Sequence, residues 1–110
     1  MKDDKNNDEV TPISFETDIA PMFTARDVTC MNPRNVKLTD FVYMSDPAGD
    51  ETHADHAHAR HVYARLTGDE KPQMPRGGGE KFWTDPTNPQ GQKNLETFNA
   101  WMTNEPPFQP

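Results

Sequence analysis

Apolar residues in this chain come in short bursts between polar stretches, and the bursts that recur do so with helical spacing. Ile19, Met22 and Phe23 fall at i, i+3 and i+4, which places them on one helix face. Thr17 or Asp18 can cap that helix, and Pro21 falls in its first turn, where a missing amide costs nothing. Residues 29–35 read as a loop. Thr39 or Asp40 then opens a short segment, Phe41-Val42-Tyr43-Met44, closed by Asp46-Pro47-Ala48-Gly49. The clearest helix follows, capped by Asp50 or Thr52 and stopped at Gly68, with Ala59, Val62, Tyr63 and Leu66 as its buried stripe. Residues 69–89 form a long loop carrying Met74-Pro75, Gly77-Gly78-Gly79 and Phe82-Trp83. A last helix starts near Asn88-Pro89 and gathers Leu95, Phe98, Trp101 and Met102 on one side. No segment alternates strongly with period two, so the predicted fold class is all-α, a small bundle of about four helices with long Pro/Gly-rich loops.

A length of 110 residues allows one domain. Residues 1–12 carry many acids and almost nothing apolar, so they read as a disordered acidic tail. Residues 13–103 form the helical domain, and 104–110 a loose Pro-rich tail that cannot continue a helix. Apolar residues make up only 32% of the chain, beside eleven prolines. Such a chain buries little, so its six methionines and its aromatics must supply most of the core.

The net charge of −7 argues against nucleic acid and against an anionic membrane surface, and fits a protein partner with a basic surface better. No apolar run approaches membrane-spanning length, and no hydrophobic leader precedes the domain. The expected location is cytoplasmic, or periplasmic if a leader has been removed. The single Cys30 rules out an internal disulfide.

Four blocks in order carry a likeness. They are Ser14-Phe15-Glu16-Thr17-Asp18-Ile19-Ala20-Pro21-Met22-Phe23, Val62-Tyr63-Ala64-Arg65-Leu66, Met74-Pro75, and the amphipathic stretch from Leu95 to Met102 with its Trp101. Together they resemble the haem-c-like domains of planctomycete-type and related cytochromes. In those domains a Cys-x-x-Cys-His motif follows the first block; here Cys30-Met31-Asn32-Pro33 stands in its place. A c-type haem needs two thiols and the adjacent histidine, so it is excluded. The resemblance therefore implies a haem-free cytochrome-c-like domain with no covalent cofactor. It implies a non-enzymatic binding module, an accessory subunit or partner of a larger redox or metal-dependent enzyme. Met74 matches the position of the family's distal axial ligand, and without haem it is expected to fill the hollow. A non-covalent haem held by a histidine and Met74 would need a roomy apolar pocket that this composition barely allows.

All four histidines lie within nine residues: His53, His56, His58 and His61, spaced His-x-x-His-x-His-x-x-His. Imidazole suits zinc, copper, nickel and iron. This cluster makes the alternative function a small metal carrier or sensor, with Cys30 and Met74 as helpers. On a helix turning about 100° per residue the four scatter over more than half the circumference. Only the pairs His53/His56 and His58/His61 share a face, and Asp50, Asp55 or Cys30 would have to complete a site. The competing reading leaves His56 bonded to a loop carbonyl and the others solvated.

Other features are weaker. Cys30 reads as a small buried hydrophobe or a reactive thiol. Arg76-Gly77-Gly78-Gly79 lacks the preceding strand and following helix start of a phosphate loop. Met74, Phe82, Trp83 and Phe108 are apolar groups on polar segments, which either pack on the core or form a docking surface. No nucleophile elbow, His-Glu-x-x-His motif or cofactor loop is present, so no catalytic set stands out.

Overall fold

The computed structural model describes residues 13–75 and 82–110. The acidic tail assigned to residues 1–12 and the glycines at 77–79 lie outside the described residues. Among the described residues every regular element is helical. There are four α-helices: α1 (Ala25–Met31), α2 (Phe41–Met44), α3 (Ala57–Thr67) and α4 (Pro89–Thr103). A wide π-type turn, Phe15–Ile19, and a tight 3-10 turn, Ala20–Met22, precede α1; a second 3-10 turn, Asn32–Arg34, follows it. The all-α expectation holds for these residues. Among them no helix is long and apolar enough to cross a membrane.

The first element begins earlier than expected. Ser14, rather than Thr17 or Asp18, is its cap: Ser14 Oγ accepts from the Thr17 amide at 3.3 Å, and Asp18 accepts from the Ser14 amide at 2.8 Å. This reciprocal pair turns Phe15 and Ile19 inward together. Residues 29–35 are also not a loop. Thr24 and Asp27 form a capping box, with bonds of 2.9 and 3.1 Å, and so start α1, whose last turn carries Cys30 and Met31. Because Met31 alone is fully buried in this helix, no apolar stripe announces it.

Other boundaries follow their local chemistry. Asp40 accepts from Val42 and Tyr43 to open α2. Asn88 accepts from Gly91 at 3.0 Å, with Pro89 at the first position of α4. Gly68 ends α3 at φ 89°, a left-handed conformation that glycine adopts freely.

The start of α3 corrects the sequence reading. Asp50 and Thr52 do not cap it; the helix begins at Ala57, after His56 in a left-handed conformation at φ 46°. Residues 47–56 instead form a loop folded on itself, with the His56 amide on the Pro47 carbonyl and the Ala57 amide on that of Ala48. Gly49 permits the closure, since a Cβ there would meet the Ala54 carbonyl oxygen at 2.2 Å. A left-handed histidine costs on the order of 1–3 kcal/mol. The His56 ring lies flat on Phe108, centroids 3.8 Å apart, and this stacking offsets part of that cost.

The core joins α3 to α4. Ala59, Val62 and Leu66 meet Phe98, Trp101 and Met102, all buried. Tyr63, expected in the buried stripe, is half-buried and stacks on Phe98. Trp101 is the hub: its ring lies 5.4 Å from Phe15, 5.7 Å from Phe98 and 5.0 Å from Phe108. Its indole N–H donates to the Gln109 carbonyl at 2.8 Å. The Phe15 amide donates to the same carbonyl, and Ser14 Oγ to that of Pro110. Residues 104–110, expected to be loose, are therefore pinned across the core, because the prolines end the helix while Trp101 gives the segment a buried partner.

Met74, Trp83 and Phe108 are buried, and Trp83 stacks on Phe23. Of the four residues weighed between core and docking surface, Phe82 alone is half-exposed. Cys30, Leu38, Leu66, Met74 and Trp83 border one residual cavity of about 10 Å³, room for about one water molecule.

Trp101→Ala is expected to cost about 3–5 kcal/mol and to release residues 104–110. Trp101→Phe, which keeps a ring but loses the indole donor, is expected to cost roughly 1–2 kcal/mol. Urea denaturation of the three proteins checks this; equal losses from the two substitutions would refute the hub role.

Candidate metal centre

Three segments carry the histidine chemistry to one point. The folded loop supplies His53, the second turn of α3 supplies His61, and the turn after Gly68 supplies Glu70. That turn is tied back to its helix, the Glu70 amide on the Ala64 carbonyl and the Met74 amide on that of Arg65. One donor atom from each of His53, His61 and Glu70 lies within 4.8 Å of the other two. This group could hold a metal ion. Glu70 Oε2 is 2.5 Å from His61 Nδ1 and 3.7 Å from His53 Nε2. His53 Nε2 is buried and has no hydrogen-bond partner among the described residues, an uncommon state for a ring nitrogen. The His53 and His61 rings meet edge to face, centroids 4.6 Å apart.

Asp50 stands on the far side of His61, its Oδ2 2.6 Å from Nε2. Both nitrogens of this imidazole thus face carboxylate oxygens, which only accept, so in this arrangement His61 is the doubly protonated imidazolium. Burial by itself would lower the His61 pKa, but the bonds to Asp50 and Glu70 and the charge of both override it and raise it above 6.5. Asp50 is held down to about 2, first by the His53 amide and then by the His61 ring.

Zinc held by imidazole and carboxylate at about 2.0–2.2 Å keeps its donors roughly 3.3–3.6 Å apart. The 3.7 Å between His53 and Glu70 lies just above that range. The 2.5 Å between His61 and Glu70 is a hydrogen-bond distance, and placing an ion between these donors asks them to part by about 1 Å. The donor types and their convergence within 4.8 Å fit a small first-row ion once the donors shift by about 1 Å.

The other sequence candidates lie elsewhere. His56 stacks on Phe108 and bonds Asp55 at 3.0 Å. His58 lies flat on Tyr43, centroids 3.9 Å apart, with its Nδ1 on the Tyr43 carbonyl. Cys30 and Met74 border the residual cavity and are absent from the histidine group. His53 and His61 share no helix face; they meet because His53 precedes the helix and its loop folds back. Glu70 was missed altogether. Its signal was Gly68, which reverses the chain and returns the next residues over α3.

No family model, curated protein or solved structure matches the chain.

The pKa shifts set the pH dependence of the metal-free protein. His61 is raised, so its contribution is complete below 6.5 and fades as pH rises through its folded value. Asp50 is depressed, so its contribution is present above 3.8 and fades as pH falls toward about 2. Thermal melts in the presence of a chelator should show stability falling as pH rises above 6.5, and His61→Ala should flatten that limb. An unchanged slope in the variant would show that His61 and its bonds to Asp50 and Glu70 do not set that limb.

Proposed function

We propose that this protein is a small metal-binding module holding one divalent first-row transition ion, zinc by preference, through His53, His61 and Glu70. The observation that carries this reading is the convergence of three donors from three separately folded segments within 4.8 Å. The buried, unpartnered Nε2 of His53 supports it. Two imidazoles and one carboxylate suit zinc and its neighbours, whereas magnesium and calcium prefer all-oxygen sites. Glu70 and Asp50 together match the charge of a divalent ion. Three protein ligands leave a fourth position for water or an outside group, and the ligands are only half-buried, which suits a carrier or sensor that must exchange its ion.

The haem-free cytochrome-c-like reading is compatible with this one. What supports it is that Met74 is buried beside Cys30 at a cavity with room for only about one water molecule. On that reading the module serves as an accessory subunit or partner of a larger enzyme with a basic surface, and the histidine site is an acquisition of the scaffold.

Zinc titration of untagged protein should show one equivalent bound with sub-micromolar affinity. His61→Ala and Glu70→Gln should each weaken it by more than the roughly 10–100-fold typical of losing an outer-shell partner. His58→Ala, whose ring lies on Tyr43 away from the group, should leave the affinity unchanged. Weak, non-stoichiometric binding that survives His61→Ala would sink the proposal, since any histidine-rich tract gives that result.

A further inference from the structure

We infer that Asp50 positions both histidines for the ion and decides which nitrogen of His61 binds it; this rests on the metal reading above. The two carboxylate oxygens of Asp50 do different work. Oδ2 takes the Nε2–H of His61 at 2.6 Å, which leaves Nδ1 as the nitrogen able to bind an ion, on the side of Glu70 and His53. A carboxylate behind a ligating imidazole fixes its tautomer and raises its basicity. Oδ1 takes the amides of Thr52 and His53, each at 2.9 Å, and the Asp50 amide returns a bond to the His53 carbonyl at 2.7 Å. One side chain thus sets the backbone of the ligand on the loop and the ring of the ligand on the helix.

Gly49, next to it, makes this geometry accessible, since any larger residue would hold residues 53–54 away from the turn. His53 gains from the arrangement most directly. Its Nε2 has no hydrogen-bond partner among the described residues, whereas its backbone is bonded to Asp50.

Asparagine cannot replace Asp50 in both tasks. If its amide oxygen serves the two backbone amides, its NH₂ group faces His61 Nε2 and favours the tautomer with the proton on Nδ1. If its oxygen serves His61, the NH₂ group faces backbone donors. Glutamate restores the charge but moves both oxygens, so it separates electrostatic attraction of the ion from positioning.

The experiment is zinc titration of the full chain carrying Asp50, Asp50→Asn or Asp50→Glu, with nitrogen NMR of the histidine rings in the zinc-loaded native protein. Asp50 is exposed, and circular dichroism reports whether each variant folds. Both substitutions should weaken zinc by roughly 10–100-fold, and His61 in the native protein should show a metal-bound Nδ1 and a protonated Nε2. Zinc bound through Nε2, or unchanged affinity in both variants, overturns the inference and leaves the metal reading standing. No stoichiometric binding by the native chain removes the metal reading itself. The ring signature is read on the unsubstituted protein, so it decides the question even if a variant fails to fold.

Discussion

The structure depends first on what Trp101 holds together. With only 32% of its residues apolar, this chain has little material to spare, and much of it converges on one indole. The ring touches the first turn through Phe15, its own helix through Phe98, and the returning C-terminal segment through Phe108. The N–H reaches a carbonyl that also accepts from Phe15. These contacts close the chain on itself: Phe108, held by Trp101, gives His56 a flat surface to stack on. His56 is the left-handed residue that separates the folded loop from α3. The direction from which the loop enters the helix, and so where His53 falls, is tied to the tryptophan through two aromatic contacts.

Four histidines in nine residues could make a diffuse, adaptable tract on one helix, and the helical spacing alone gives at most paired ligands. A loop before the helix changes the outcome, because a residue there is not bound to the helical period. Asp50, Gly49 and the two amide bonds back to Pro47 and Ala48 close that loop before any ligand is considered. The ordering entropy of His53 is therefore largely met by folding, and an ion would not have to supply it. Glu70 arrives in a similar way, since Gly68 reverses the chain and the bond from residue 70 to Ala64 holds the turn.

Much of the fold was legible in the sequence and the site only half so. The caps at Asp40 and Asn88, the stop at Gly68 and the face of α4 follow from rules acting over a few residues. The start of α3 was misread because Asp50 and Thr52 are good caps in isolation. Asp50 instead spends its oxygens on Thr52, His53 and a histidine eleven residues away, which no local rule anticipates. The helix α1 was missed because it buries Met31 alone, so its capping box had no apolar stripe to support it. His53 and His61 were both candidates, yet helical spacing kept them apart. Glu70 went unnoticed because its proximity depends on a chain reversal.

Two carboxylates flanking one imidazole form an unusual balance in a chain that already carries net charge −7. Without an ion, the imidazolium offsets only one of the two acids, so the triad of Asp50, His61 and Glu70 keeps a negative charge beside the unpartnered His53 ring. On the metal reading, His61 Nδ1, His53 Nε2 and Glu70 would hold a divalent ion, which would stand in place of the Nδ1 proton, give His53 Nε2 a partner and balance both carboxylates. A proton does only the first part of this. On that reading the two carboxylates around His61 would be better matched by a doubly charged cation than by a single proton.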